Sequence, residues 1–238
     1  MGHIINPDRE YRLLQQRLDR EMTGAPESPT FMKLLRLLFS PEEAEIARRF
    51  PGQLTRLDAL SLRLGIPQDA LADKMTDMAR RGLVLDIEHE GQRYFALAPV
   101  VIGFFETTFQ RAREDMPMAE LARLFEQYFA ESDRFARSVF QGQTQLLRTL
   151  VREEALPQGD YTEVLDWERA SHIVQSASAV GISLCPCRHK ASHLEKACDS
   201  PRETCLQLNY IAAGLPELTG GFCKREQLHS LMIFGVAT

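Results

Sequence analysis

Apolar residues recur along this chain at two periods, and the changes of period mark its elements. In FSPEEAEIARRF (39–50), Ala44, Ile46, Ala47 and Phe50 form an inward stripe at helical spacing. Its start is signalled as clearly: Ser40 suits the N-cap, Pro41 the first helical position, and Glu43 completes a capping box. A second helix is predicted over RLDALSLRLG (56–65), with Leu57, Leu60, Leu62 and Leu64 as buried candidates and Gly65 as the stop. A third, PQDALADKMTDMARRG (67–82), carries Leu71, Met75 and Met78 on one face and ends at Gly82. The period then drops to two in LVLDIEHEGQRYFAL (83–97), whose alternating runs flank a Glu-Gly turn and predict a β-hairpin.

Three helices followed by a hairpin predict a winged-helix-like domain over 31–100. Ahead of it, residues 1–22 are charged and helix-prone, and TGAPESP (23–29) reads as a linker, so 1–30 is an N-terminal helix and linker. Helical spacing returns over 101–155, a helical connector. There Phe104, Phe105, Phe109, Leu121, Leu124 and Phe125 read as packing residues rather than a cofactor box. TQLLRTLVRE (144–153) suits strand and helix equally. After the turn-like LPQGD (156–160), Asp166 caps a helix on WERASHIVQSASA with Trp167, Ala170, Ile173, Val174 and Ala177 inward and His172 in its middle. VGISL (180–184) is a buried strand running into Cys185. The fold class expected is α+β, mostly helical: the winged-helix-like domain plus a small α/β cysteine-rich metal-binding region over 156–238.

Composition narrows the partners. The 238 residues are 44% hydrophobic and 26% charged, ample for a core, and the net charge of −5 gives no broad attraction to nucleic acid or membranes. MGHIINPDRE has no apolar leader, and Asn6 stands where a myristoylation motif wants Ser or Thr. The longest apolar run, ALAPVVIGFF (96–105), falls well short of the ~20 residues of a membrane helix. A cytoplasmic protein is expected. In a winged helix the third helix would meet DNA, yet here it aligns Asp69, Asp73 and Asp77, and the hairpin aligns Asp86, Glu88 and Glu90. Lys74, Arg80, Arg81 and Arg93 are the cations on offer to phosphates. Residues 31–98 hold ten Lys and Arg against ten Asp and Glu, so nucleic acid is not the expected partner. Protein–protein or intramolecular docking is.

The distinctive chemistry lies in LCPCRHKASHLEKACDSPRETC (184–205), which spaces Cys185, Cys187, Cys198 and Cys205 as C-x-C-x10-C-x6-C. Clustered cysteines in a reducing compartment bind metal or do redox chemistry more often than they form disulfides, and the odd total of five points the same way. Four thiolates satisfy tetrahedral zinc and the corners of a 4Fe–4S cluster alike. A redox pair of Cys185 and Cys187 and simple core filling are the other readings. Arg188 and Lys190 place positive charge beside the thiolates, while Asp199 and Pro201 suggest a turn that returns Cys205. His189 and His193, at i and i+4, are either two ligands on one helix face or supporting and solvent-facing groups. No nucleophile–base pair, phosphate loop or carboxylate pair stands out, so no defined catalyst is expected.

Two stretches carry a family likeness: LLRLLFSPEEAEIA with DMARRGLVLDIEHEGQRYFALAPVVIGFFE, and ISLCPCRHKASHLEKACDSPRETCLQLN. Over roughly 31 to 212 the chain resembles bacterial and archaeal 4Fe–4S ferredoxin-type proteins with an N-terminal winged-helix-like region. The resemblance implies Cys185, Cys187, Cys198 and Cys205 as the metal- and cofactor-binding set. It implies a 4Fe–4S cluster, with zinc as the alternative, used for electron transfer or redox sensing. The alternative functions are a metal- or redox-responsive winged-helix regulator and a structural zinc-binding interaction protein. A redox protein is the expected partner, and homodimerisation is left open. Family members continue into a cysteine-dense tail; here GLPELTGGFCKREQLHSLMIFGVAT follows Ala213 with the single Cys223. The expectation is a truncated or frame-shifted member, or a variant keeping the first cysteine site.

Overall fold

The structure, a computed structural model, describes residues 7–141, 175–178 and 180–208. It is α+β, with short helices and two small antiparallel sheets. Helix α1 (Pro7–Leu18) leads to α2 (Pro29–Leu38) and α3 (Pro41–Ala47). The Ser40 hydroxyl accepts from the Glu43 N–H, and the Glu43 carboxylate accepts from the Ser40 N–H, so the expected capping box is formed. Then follow β1 (Thr55–Arg56), α4 (Leu57–Leu64), α5 (Gln68–Arg80) and the hairpin β2 (Val84–His89) and β3 (Gln92–Leu97). Glu90 and Gly91 make its turn with φ of 52° and 71°, which matches the right-handed twist of paired strands. Strand β1 pairs with the far side of β3, giving the order β1-β3-β2.

After the hairpin the chain makes an irregular turn (Val100–Phe104) before α6 (Phe105–Phe109). The helical pattern over this stretch predicted a longer helix. Instead Ile102 takes φ 57°, ψ 44°, a left-handed conformation that is rare for a β-branched residue. Helices α7 (Met118–Ala130) and α8 (Asp133–Phe140) close the main body. Strand β4 (Val180–Leu184), α9 (Pro186–Ser192) and β5 (Glu203–Leu208) form the second unit, β4 and β5 pairing antiparallel.

One apolar core runs from Tyr11 to Val139, across positions 30 and 100, where the pattern places boundaries. TGAPESP does not run free: Thr23 and Ala25 are buried, Gln15 donates to the Ala25 carbonyl at 2.7 Å, and the Tyr128 hydroxyl donates to that of Pro26 at 3.0 Å. Leu57, Leu60 and Leu64 are buried as expected, whereas Leu62 is 85% exposed. The aromatic residues pack in sequence. Phe39 meets Phe104 edge-on at 6.2 Å, Phe104 and Phe109 both meet Phe125, and Phe109 meets the His189 ring edge-on at 6.1 Å. The core therefore ends against α9, and that contact positions the cysteine-bearing unit. No helix among the described residues is long and apolar enough to cross a membrane.

Candidate functional site

Strand β4 delivers Cys185 to the start of α9, where Pro186 takes the first helical position because that position needs no N–H. Cys185 is the N-cap residue and Cys187 sits in the first turn. The Cys185 backbone is fixed at both ends: its N–H donates to the Arg202 carbonyl at 2.6 Å, and its carbonyl accepts from the His189 N–H at 2.9 Å. Cys205 lies on β5, opposite Ser183 of β4. Cys198 is exposed in the loop between α9 and β5. All four thiols are free. One strand–helix–strand unit thus carries the whole predicted set.

The four sulfurs are not equivalent. Cys187 donates its S–H to Cys185, which stabilises Cys185 as the thiolate. The N–H groups of Arg188 and Cys187 and the Arg188 charge add to that, and the Cys185 pKa falls to about 5. The same bond, with burial and the Cys185 charge, pushes the Cys187 thiol up. Burial pushes Cys205 up; the Ser183 hydroxyl and the Gln110 amide partly offset this, the latter donating to Sγ at 3.9 Å. Hydrogen bonds from Ser200 and Arg188 bring the Cys198 thiol down. Arg188 is itself held by the Pro201 carbonyl at 3.0 Å and the Thr204 hydroxyl at 3.1 Å, so its charge is aimed rather than free.

Two residues that the motif does not announce, Glu106 on α6 and Gln110 just after it, face this unit. Glu106 is a largely buried carboxylate, raised by desolvation, whose charge is felt by Cys187 and Cys205. It accepts the Gly103 N–H at 2.9 Å and a hydrogen bond from the Ile102 backbone, so it secures the left-handed turn. Gln110, one turn on, is 6% exposed; its carbonyl accepts from the Leu184 N–H at 3.0 Å, and its side-chain Oε1 has no partner. The only signal for the pair was a polar i, i+4 face within an aromatic run.

His189 and His193 are brought together rather than left solvent-facing. His189 is buried, with Nδ1 2.8 Å from the Phe109 carbonyl, and its Nε2 is 3.3 Å from that of His193. Lys190 forms an ion pair with Glu126 of α7, which also takes Lys196, and its charge is still felt at Cys187. Among the described residues, no three His, Cys, Asp or Glu side chains gather in a group able to hold a metal ion. Cys185 and Cys187 touch, Cys205 feels the Cys185 charge, and Cys198 stands exposed in its loop. The donor chemistry fits a thiolate-ligated metal, and the arrangement is an open clasp. Cys223, His172 and the helix expected after Asp166 lie largely outside the described residues.

Compared with known proteins, the chain matches no family model, no curated protein and no solved structure.

Proposed function

We propose that the β4–α9–β5 unit is a thiolate metal site that binds a 4Fe–4S cluster through Cys185, Cys187, Cys198 and Cys205. The observation that carries this reading is the placement of four free thiols on one short unit, with Cys185 already held as a thiolate. Metal binding needs deprotonated sulfur, and Cys187, the α9 N–H groups and Arg188 lower its cost at Cys185. A bound cluster would supply one-electron chemistry, for transfer or for sensing. Arg188 and the Gln110 amide would then set the charge and hydrogen bonding around the sulfurs, while the phenylalanines behind α9 limit water on that side. Cys198 is the most informative position to test, because it stands exposed in the loop between α9 and β5. Replacing Cys198 with Ser should abolish metal retention; full metal content in Cys198→Ser would remove the ligand set proposed.

A second reading, a metal- or redox-responsive winged-helix regulator, is favoured by one observation. The succession α3, β1, α4, α5, β2, β3 with sheet order β1-β3-β2 supports a winged-helix arrangement. Its electrostatics support docking to protein rather than DNA. Asp69, Asp73 and Asp77 are exposed along α5, while Lys74 pairs with Glu42 at 2.9 Å, Arg81 with Glu43 and Arg93 with Asp86. Cations held this way are poor phosphate ligands. A salt-sensitive, sequence-specific mobility shift with DNA from beside the gene would reverse that preference.

A further inference from the structure

The histidine pair on α9 has a geometry that the cysteine reading does not use. The Phe109 carbonyl only accepts, so the 2.8 Å contact requires the proton of His189 to sit on Nδ1. In neutral His189, Nε2 is then an unprotonated lone pair. A buried Nδ1–H held by a carbonyl is how metal-ligating histidines are commonly oriented. The lone pair is aimed at Nε2 of His193, 3.3 Å away. Two imidazole ligands of one tetrahedral zinc, each at about 2.0–2.1 Å, stand about 3.3–3.4 Å apart. The metal-free pair is therefore already at the ligand–ligand spacing.

We infer that His189 and His193 form a second, imidazole clamp for a divalent transition cation of the Zn²⁺, Co²⁺ or Ni²⁺ class, separate from the thiols. In the free protein one proton, carried on His193 Nε2, bridges the two rings. On binding, that proton moves to His193 Nδ1 through solvent, and the cation takes both Nε2 lone pairs. No net charge leaves the imidazoles. Partial exposure of His193 leaves the remaining coordination positions to water. His193 stands beside buried His189 and within the field of the Arg202 charge. The Arg202 charge also repels a cation. The clamp consequently suits metals that prefer nitrogen donors over those bound by charge alone, such as Ca²⁺ or Mg²⁺.

The test is a Co²⁺ titration of the full-length protein, prepared anaerobically with reductant, read by two signals at once. Thiolate-to-cobalt charge transfer reports the cysteines; the paramagnetically shifted Nδ1–H of His189 in the proton spectrum reports the clamp. A His189 signal that saturates separately from the thiolate band is expected. His193→Gln should weaken it at least about tenfold, since even an outer partner of a ligand is worth about 10–100-fold in metal affinity. That variant should leave the thiolate band in place. The inference is overturned by no shifted His189 signal in the wild type, by one His193→Gln does not weaken, or by one rising only as a single event with the thiolate band. The wild-type result stands without the variant, should His193→Gln not fold. Failure of the cysteine reading shows instead as absent iron and sulfide, and leaves this signal untouched.

Discussion

Gly82 joins α5 to the hairpin and touches α6, the helix that faces the cysteines. Its φ is +76°, and a Cβ built there would lie 2.3 Å from the Thr107 Cβ and Oγ1. Thr107 is buried on α6, and its hydroxyl donates to the Gly82 carbonyl at 3.0 Å. Gly82→Ala thus meets two penalties. Left-handed backbone costs a non-glycine residue about 1–2 kcal/mol. Forcing a methyl into a packed contact costs about 1–3 kcal/mol more. The total is about 2–5 kcal/mol, or roughly 4–20 °C of Tm for a chain of this size. Gly65 supplies the control: its φ is +70°, but a Cβ there meets nothing within 4 Å, so Gly65→Ala should show the backbone term alone. Urea unfolding of the two variants, compared at equal m-value, isolates the packing term. Equal destabilisation of the two would refute the close approach of α6 to the hairpin. Thr107→Ser should not rescue Gly82→Ala, because the clashing Cβ stays.

Other consequences follow from the site. In metal-free protein, Cys185 is a thiolate above its pKa of about 5, so its alkylation rate should be flat between pH 6.5 and 8. An ordinary thiol of pKa about 8.5 would speed up roughly 20-fold over that interval; peptide mass spectrometry showing such a rise at Cys185 would discard the Cys187 hydrogen bond. Glu106 has a raised pKa, so the folded state binds more protons than the unfolded one and loses stability as pH rises above about 4.5. Glu106→Gln keeps an acceptor for Gly103 and removes the buried charge. It should therefore gain on the wild type in melting temperature from pH 4 to 7; a constant offset would contradict this. Lys190 and Lys196 flank Glu126 at a partly exposed edge, so Glu126→Gln should cost no more than about 1 kcal/mol in urea unfolding.

What the sequence made legible was local. Ser40, Pro41 and Glu43 name a helix start because the capping groups lie within three residues of each other. The hairpin is read from alternation and a Glu-Gly turn, and VGISL as a short buried strand leading into Cys185. What it concealed depends on distant partners. TGAPESP has a linker's composition, but its carbonyls are claimed by Gln15 and Tyr128. Strand β5 inverts the usual polarity: Gln207 is buried, donating to the Ser183 hydroxyl, while Leu206 is 37% exposed. Ile102 carries no mark of a left-handed turn, since that conformation is imposed by Glu106 and the packing around it. The cysteine motif could be picked out by spacing alone, yet Glu106, Gln110 and the facing of the two histidines emerge only when α6 docks on α9.

The central claim is that the four thiols hold an iron–sulfur cluster, and metal analysis of anaerobically purified full-length protein tests it most directly. The account predicts iron and acid-labile sulfide in equal amounts, with a broad visible absorption that Cys198→Ser removes. A colourless protein carrying stoichiometric zinc on those cysteines, without sulfide, would contradict it.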